Sequence, residues 1–483
     1  MIRADIRPDV DPIDHSTRDA DPVPEALVDR TPVRHPVFRH GIRFLALSVS
    51  AAAIFAAGCV ENHRQIKPDA DRFAWPVTVV ADPSGDFVYV ISSNFDSECT
   101  GGTIIPVSVD TLDKIQVGAV EIGSFNGEAV ITRLADGRNR LWVPSRDSDA
   151  LQFADISRPS GYPVLFCDGD SEPDDADGED VAAGAPVPVD AAAEPWPEDA
   201  VSTDDVVAPE LPGFHACSGR YSIGLKDFKV TLDDGTTEFA DNPYGIAAGG
   251  WTVLADGRRV QPIYVAGIVG GAIDVFLADD TGNVEHKAVA LLDEGCHTVA
   301  EYMVTDSERV VWISNRSMNE IIIAHVRIHA SGEVDLVVDD LAAADILGST
   351  GSYFRGMARS LDGRFLYAAY RSPAGLAVFE IEAGGGLRYR HLIALDGDPS
   401  GVAVYRGLDG AETVYVTETA HDGVYAVDPL SHTVIDTIFV GAAPYGIAIA
   451  GGRAFVANFE DSTVSVFGVE PGSDDYHVET VIE

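Results

Sequence analysis

One short pattern of residues recurs from about residue 76 to the end of the chain, and it limits the possible folds more than any other feature. The last copy reads Ala443-Pro444-Tyr445-Gly446-Ile447-Ala448-Ile449, a turn at Gly451-Gly452, Ala454-Phe455-Val456-Ala457-Asn458, and Asp461-Ser462-Thr463-Val464-Ser465-Val466-Phe467. Physically this is an apolar strand, a Gly turn, a second apolar strand, an Asn/Asp turn and a third strand that alternates, which makes an antiparallel meander. Asp398-Pro399-Ser400-Gly401-Val402-Ala403-Val404 leads in the same way to Val414-Tyr415-Val416-Thr417-Glu418 and Gly423-Val424-Tyr425-Ala426-Val427. Arg355-Gly356-Met357-Ala358 leads to Phe365-Leu366-Tyr367-Ala368-Ala369 and Gly375-Leu376-Ala377-Val378-Phe379. Looser copies centre on Phe87-Val88-Tyr89-Val90, Arg140-Leu141-Trp142-Val143, Ile263-Tyr264-Val265-Ala266 and Val310-Val311-Trp312-Ile313.

Aligned on Thr78, Gly127, Gly245, Glu301, Gly356, Gly401 and Gly446, the copies are spaced by 49, 118, 56, 55, 45 and 45 residues. Three visible strands with room for a fourth predict an all-β fold: a seven-bladed β-propeller of four-stranded antiparallel blades over 76–483. Val414-Tyr415-Val416-Thr417, the Asp-x-Val-x-Val strands and the closing Ile438-Phe439-Val440-Gly441-Ala442-Ala443-Pro444-Tyr445-Gly446 resemble the YVTN-repeat family of β-propellers. The resemblance covers 76–470 apart from one insertion, and it carries scaffold strands rather than catalytic residues. Related seven-bladed propellers include lactonases, so it implies a lactonase-like hydrolase as one function to weigh.

The amino-terminal region concerns address. Residues 34–43 form a basic flank without an acid, and 44–57 are fourteen residues without a charge. A helix of that length spans about 21 Å, short of a bilayer core of about 30 Å. A basic region, a short apolar core and small residues make an export signal. Ala56-Ala57-Gly58-Cys59 is similar to a bacterial lipobox, with Ala56 where the pattern usually has Leu. That resemblance implies cleavage before Cys59 and lipid on its thiol. Val60 in second place implies the outer membrane of a Gram-negative envelope. Residues 1–58 are then extension and signal, 59–75 a tether, and the lipid is the sole membrane attachment.

The long spacing holds an insertion. Residues 168–216 contain fifteen acids and no Lys or Arg, a composition expected to be disordered. Cys167 and Cys217 bracket it, so a disulfide between them is the preferred pairing, with Cys99–Cys296 left by elimination. The acidic runs near Asp168 and Asp174 miss the EF-hand pattern, with Pro173 in its first ligand position and Gly184 in its twelfth. No Cys-x-x-Cys or other ligand spacing is present, so neither a metal nor another cofactor is expected.

The chain has 77 acidic and 33 basic residues, for a net charge of −44, and offers no basic stripe for nucleic acid. No nucleophile elbow, zinc motif or phosphate loop occurs, so no catalytic residue is assigned. Chemistry in a propeller gathers at the mouth of the central channel, just before each first strand and just after each second. Those positions hold Asn94, Arg146, Tyr244, Asn315, Arg316, Arg355, Arg371, Glu418, Tyr445 and Asn458. Arg146, Arg316, Arg355 and Arg371 would together attract a carboxylate, phosphate or sulfated sugar unless neighbours such as Asp147 or Asp149 neutralise them. His297, His325 and His421 read as surface or satisfied histidines, and Tyr244 and Tyr445 as packing between blades. The favoured reading is a monomeric, envelope-anchored scaffold that binds an envelope protein, a polysaccharide or a small anion. Three or more unpartnered ionisable groups in the channel would favour the hydrolase.

Overall fold

A computed structural model describes residues 66–158, 161–167, 215–216, 221–231, 237–239, 241–343, 346 and 354–483. One compact unit spans Gln65–Glu483, and within it seven antiparallel sheets follow one another as blades, each contiguous in sequence apart from the additions noted below. Blade 1 comprises Pro76–Ala81, Phe87–Ser92, Gly102–Ser108 and Val120–Ile122. Blade 2 begins with Val130–Arg133, Asn139–Ser145 and Ala150–Ser157. Blade 3 comprises Pro243–Ala248, Arg259–Gly267, Ala272–Asp279 and Val284–Leu291. Blade 4 comprises Cys296–Met303, Glu308–Asn315, Glu320–Ile328 and Val334–Ala343. Blades 5, 6 and 7 start at Phe354–Arg359, Pro399–Arg406 and Pro444–Ala450, and blade 7 ends with Thr480–Ile482.

The continuous apolar runs of the second strands follow from burial on both faces. Every residue of Phe87–Ser92 is buried. Val88 and Val90 join Phe455, Val464 and Ile482 of blade 7, while Tyr89 and Ile91 join Leu141 and Ala154 of blade 2. The fourth strand of blade 6 faces solvent, with six of the seven residues in Thr433–Phe439 exposed, while that of blade 1, Val120–Ile122, is buried. Three hairpins between first and second strands share an Asp-Gly-Arg turn. Asp136, Asp256 and Asp362 each accept a hydrogen bond from the backbone N–H of the Arg two residues on. Each intervening glycine takes a positive φ, which glycine adopts without a Cβ clash.

The seven glycine-type positions differ in one respect from the sequence alignment. Gly127, Gly245, Gly356, Gly401 and Gly446 each press against the backbone of the next blade's innermost strand. An added Cβ would stand 2.2 Å from Tyr244 O, 1.7 Å from His297 O, 2.4 Å from Ser400 O, 2.4 Å from Tyr445 O and 2.6 Å from Thr78 Cα respectively. Glycine recurs because the innermost strands crowd together around the axis. In blade 4 the equivalent residue is Thr298, not Glu301: the register slip that marks the position in the other blades lies there between Cys296 and Val299.

The ring closes without exchange of strands between its ends. Thr480–Ile482 pairs with Thr463–Gly468 as the outer strand of blade 7. Arg453 of blade 7 donates to Val109 O of blade 1 at 2.9 Å, and Trp75 N–H donates to Ser462 Oγ at 3.3 Å.

Blade 2 accommodates the insertion in an unforeseen place. Its outer strand is in two halves, with Val164–Phe166 opposite Asp155–Ser157 and Ser222–Gly224 opposite Ala150–Gln152. The calcium-like runs and the expected disorder over 168–216 lie outside the described residues, with one exception. His215–Ala216 forms a strand parallel to Val120–Ile122, so that end of the insertion extends blade 1. Cys167 is fully buried and disulfide-bonded, while Cys217 lies outside the described residues, as does Cys59. The Cys99–Cys296 pairing is wrong. Both are free thiols: Cys99 N–H donates to Asn94 Oδ1 at 3.0 Å in blade 1, and Cys296 Sγ donates to Asp293 O at 3.4 Å beside blade 4.

Candidate functional site at the channel mouth

The first strands slip register against the second strands near their start, a bulge that re-aims side chains. The slips fall at Pro243/Gly245, Cys296/Val299, Phe354/Met357 and Pro444/Ile447. Tyr244, His297, Arg355 and Tyr445 occupy these bulges and therefore share one level in blades 3, 4, 5 and 7. Arg146 and Arg316 directly follow the second strands of blades 2 and 4.

These residues act on one another electrostatically. Burial holds His297 well below the ordinary histidine range, and the guanidinium charges of Arg355, Arg316 and Arg146 push the same way. His297 is therefore neutral at pH 7. Its ring lies 4.4 Å from that of Tyr244, and its Nδ1 is 3.2 Å from Thr298 Oγ1. Burial raises the Tyr244 phenol, reinforced by Tyr445 and Glu128 and opposed by Arg355 and Arg146. Burial also lowers Arg146, with Arg316 acting in the same sense. Tyr244 packs between blades, on His297, whereas Tyr445 packs within blade 7 on Phe459 at 5.7 Å, and both tyrosines share the channel mouth.

Glu128 was not anticipated from sequence. It follows the ring glycine of blade 2 and reaches past blade 3, where the Ile246 backbone N–H donates to it, to the Thr298 hydroxyl of blade 4. Burial pushes its carboxyl up to about 8 against those hydrogen bonds, so it is largely protonated at neutral pH. Nothing near Asn126-Gly127-Glu128 signals this, because its partners lie more than a hundred residues away.

The four arginines divide into two kinds. Arg355 and Arg371 both pair with Asp398, at 3.3 and 2.9 Å. Arg146 is not neutralised by its neighbours: Asp147 accepts from Ser124 N–H at 2.8 Å, and Asp149 pairs with Lys226 at 2.7 Å. Its Nε is buried without a hydrogen-bond partner, as is one Nη of Arg355. Arg316 is exposed and makes no side-chain ion pair among the described residues.

The remaining rim residues serve the turns. Asn94 bonds Cys99 O at 2.8 Å, Asn315 accepts from Ser317 N–H at 2.7 Å, and Asn458 donates to Ser465 Oγ at 2.8 Å. The Glu418 carboxylate accepts the backbone N–H groups of Asp398, Ala420 and His421 at 2.6–2.7 Å. His421 is exposed beside Glu418, and His325 lies exposed on the third strand of blade 4.

No protein-family model and no curated protein matches the chain. Solved structures do. Hydrazine synthase of Kuenenia stuttgartiensis is 16% identical, over 85% of this chain and 99% of that one, with a TM-score of 0.49. The periplasmic gluconolactonase of Pseudomonas aeruginosa is 15% identical, over 77% and 89%, with a TM-score of 0.46. A putative 6-phosphogluconolactonase of Bacteroides fragilis is 14% identical, over 77% and 86%, also at 0.46. None of these likenesses brings a functional residue onto this chain.

Proposed function

We propose that the chain is exported, anchored through lipid on Cys59, closed at its insertion by a Cys167–Cys217 disulfide, and that its propeller binds a small organic anion at the channel mouth. One observation carries the binding reading. In a chain of net charge −44, Arg146 keeps a buried, unpartnered guanidinium N–H beside Arg316 and a neutral histidine. An incoming carboxylate or phosphate supplies the missing acceptor and offsets the repulsion between the guanidinium groups.

Calorimetry with galacturonate and inorganic phosphate tests this. Arg146→Gln is expected to weaken binding of both anions at least ten-fold, and equal binding by the variant overturns the reading. Separately, Cys59→Ser is expected to release the protein from washed membranes. Retention after a high-salt wash would show another anchor.

A lactonase-like hydrolase stands as the second reading, because the channel is neither bare nor apolar. A protonated Glu128 and an unprotonated His297 are the acid and base that ring opening by water requires. Turnover of an aliphatic lactone that is lost in both Glu128→Gln and His297→Gln would favour it over simple binding.

A further inference from the structure

A band of aromatic rings lies along the channel mouth. Phe125 lies 5.8 Å from Phe95, Phe95 lies 5.3 Å from Phe459, and Phe459 lies 5.7 Å from Tyr445. Trp75 packs beside the middle of this band, 6.0 Å from Phe95 and 5.1 Å from Phe459. Both ends carry a cation, with the Arg146 guanidinium 5.8 Å from the Phe125 ring and that of Arg355 5.8 Å from the Tyr445 ring. The band crosses blades 2, 1 and 7, and each ring comes from the start of a first strand or the turn after a second.

Such rings would normally be buried in the core. Phe95 is instead 50% exposed, and Phe125, Trp75, Phe459 and Tyr445 are half-buried. Trp75 and Phe125 also hold left-handed backbone, with φ of 58° and 55°, a conformation bulky residues rarely adopt. Each of the two arginines at the ends has a buried guanidinium nitrogen lacking an acceptor.

We infer that this ledge binds an acidic oligosaccharide, two or three uronate rings long. The inference rests on the anion-binding reading of the mouth and extends it to a ligand class. Aromatic rings offer rigid apolar faces that cover the C–H face of a sugar. Their successive steps are close to the length of one pyranose ring. Guanidinium groups at the two ends meet carboxylates carried along the chain. A neutral glycan leaves the unpartnered nitrogens of Arg146 and Arg355 without an acceptor, and a single uronate brings one carboxylate for the two of them.

The test is calorimetry on the purified full chain with galacturonate, trigalacturonate, maltotriose and benzoate, together with sedimentation with phosphatidylglycerol vesicles. Trigalacturonate is expected to bind at least ten-fold more tightly than galacturonate, with maltotriose weaker than both. Phe95→Ala is expected to erase the advantage of the trimer and leave galacturonate affinity and melting temperature unchanged, while Phe95→Tyr keeps it. Equal affinity for monomer and trimer, benzoate binding as tightly as the trimer, Phe95→Ala without effect, or vesicle binding that depends on Phe95 would overturn the inference. If galacturonate binds but the trimer gains nothing, the ledge alone fails. If neither galacturonate nor phosphate binds, the anion reading of the mouth fails with it.

Discussion

The substitution Gly245→Ala tests the ring at its tightest point. An added Cβ would lie 1.7 Å from the His297 carbonyl oxygen and 2.9 Å from its carbonyl carbon. Relief needs a movement of roughly 1.5 Å or more to restore an ordinary carbon–oxygen contact. The obstructing atom is backbone, so no side chain can swing away. Both strands are also held by ladders, Pro243–Ala248 to Arg259–Gly267 and Cys296–Met303 to Glu308–Asn315. Overpacking a core costs about 1–3 kcal/mol, and a rigid backbone obstacle argues for the upper end, about 3 kcal/mol. That corresponds to a fall in melting temperature of roughly 3–4 °C for a unit of this size. Because His297 carries the obstructing carbonyl, affinity at the channel mouth should fall as well. Gly386→Ala is the control: its nearest neighbour is Glu382 Oε2 at 3.5 Å, and its φ is not positive. It should be neutral, or stabilising by about 0.5 kcal/mol through the unfolded chain. Differential scanning fluorimetry of both variants decides the matter. If Gly245→Ala melts within 1 °C (about 0.9 kcal/mol) of the parent, the innermost strands do not meet in solution as the geometry requires.

The other predictions concern protons, the chain end and thiols. The folded Glu128 carboxyl titrates near 8 against an ordinary 4.5, so the folded state holds the extra proton between those values and wild-type stability falls as pH rises through them. Glu128→Gln should flatten that slope and exceed the parent by about 2 kcal/mol at pH 8.5, read from urea unfolding; parallel curves would refute the burial. His297 has the opposite sign, its depressed value lowering stability as pH drops below the ordinary 6.5. Truncation after Phe467 removes buried Val469 and Ile482, and also His477, which bonds Asp436 at 2.7 Å and the Tyr415 hydroxyl at 3.1 Å. A loss of about 4 kcal/mol and aggregation on size exclusion are expected, and an unchanged monomer would contradict the closure described. In a Cys59→Ser background, unfolding without reductant should expose two reactive thiols, Cys99 and Cys296; a count of zero would restore their pairing.

The blades were legible because their signal is local. A second strand buried on both faces must be apolar throughout, as Phe87–Ser92 and Asn139–Ser145 nearly are, and a ring glycine is demanded wherever an innermost strand meets its neighbour's carbonyl. Blade 4 misled the alignment because Thr298 replaces glycine there, and the polar His297-Thr298 pair hides the first strand. The site is another matter. Its members lie in five blades and meet only once the ring has closed, so spacing cannot distinguish Arg146, whose guanidinium N–H lacks a partner, from Arg355, which has Asp398. Elimination failed for the cysteines for the same reason, since a disulfide requires Cβ atoms about 4 Å apart and nothing in sequence reports the distance from blade 1 to blade 4. Asn94, Asn315, Glu418 and Asn458 point to a general rule for such folds. The turn after a second strand needs a buried acceptor or amide to close it, so a polar residue there is first a turn anchor. Arg146 and Arg316 take no part in this closure: they lie just beyond the strand end, too long and too cationic to cap a turn. That difference marks the channel mouth once the ring has closed, and spacing alone does not carry it.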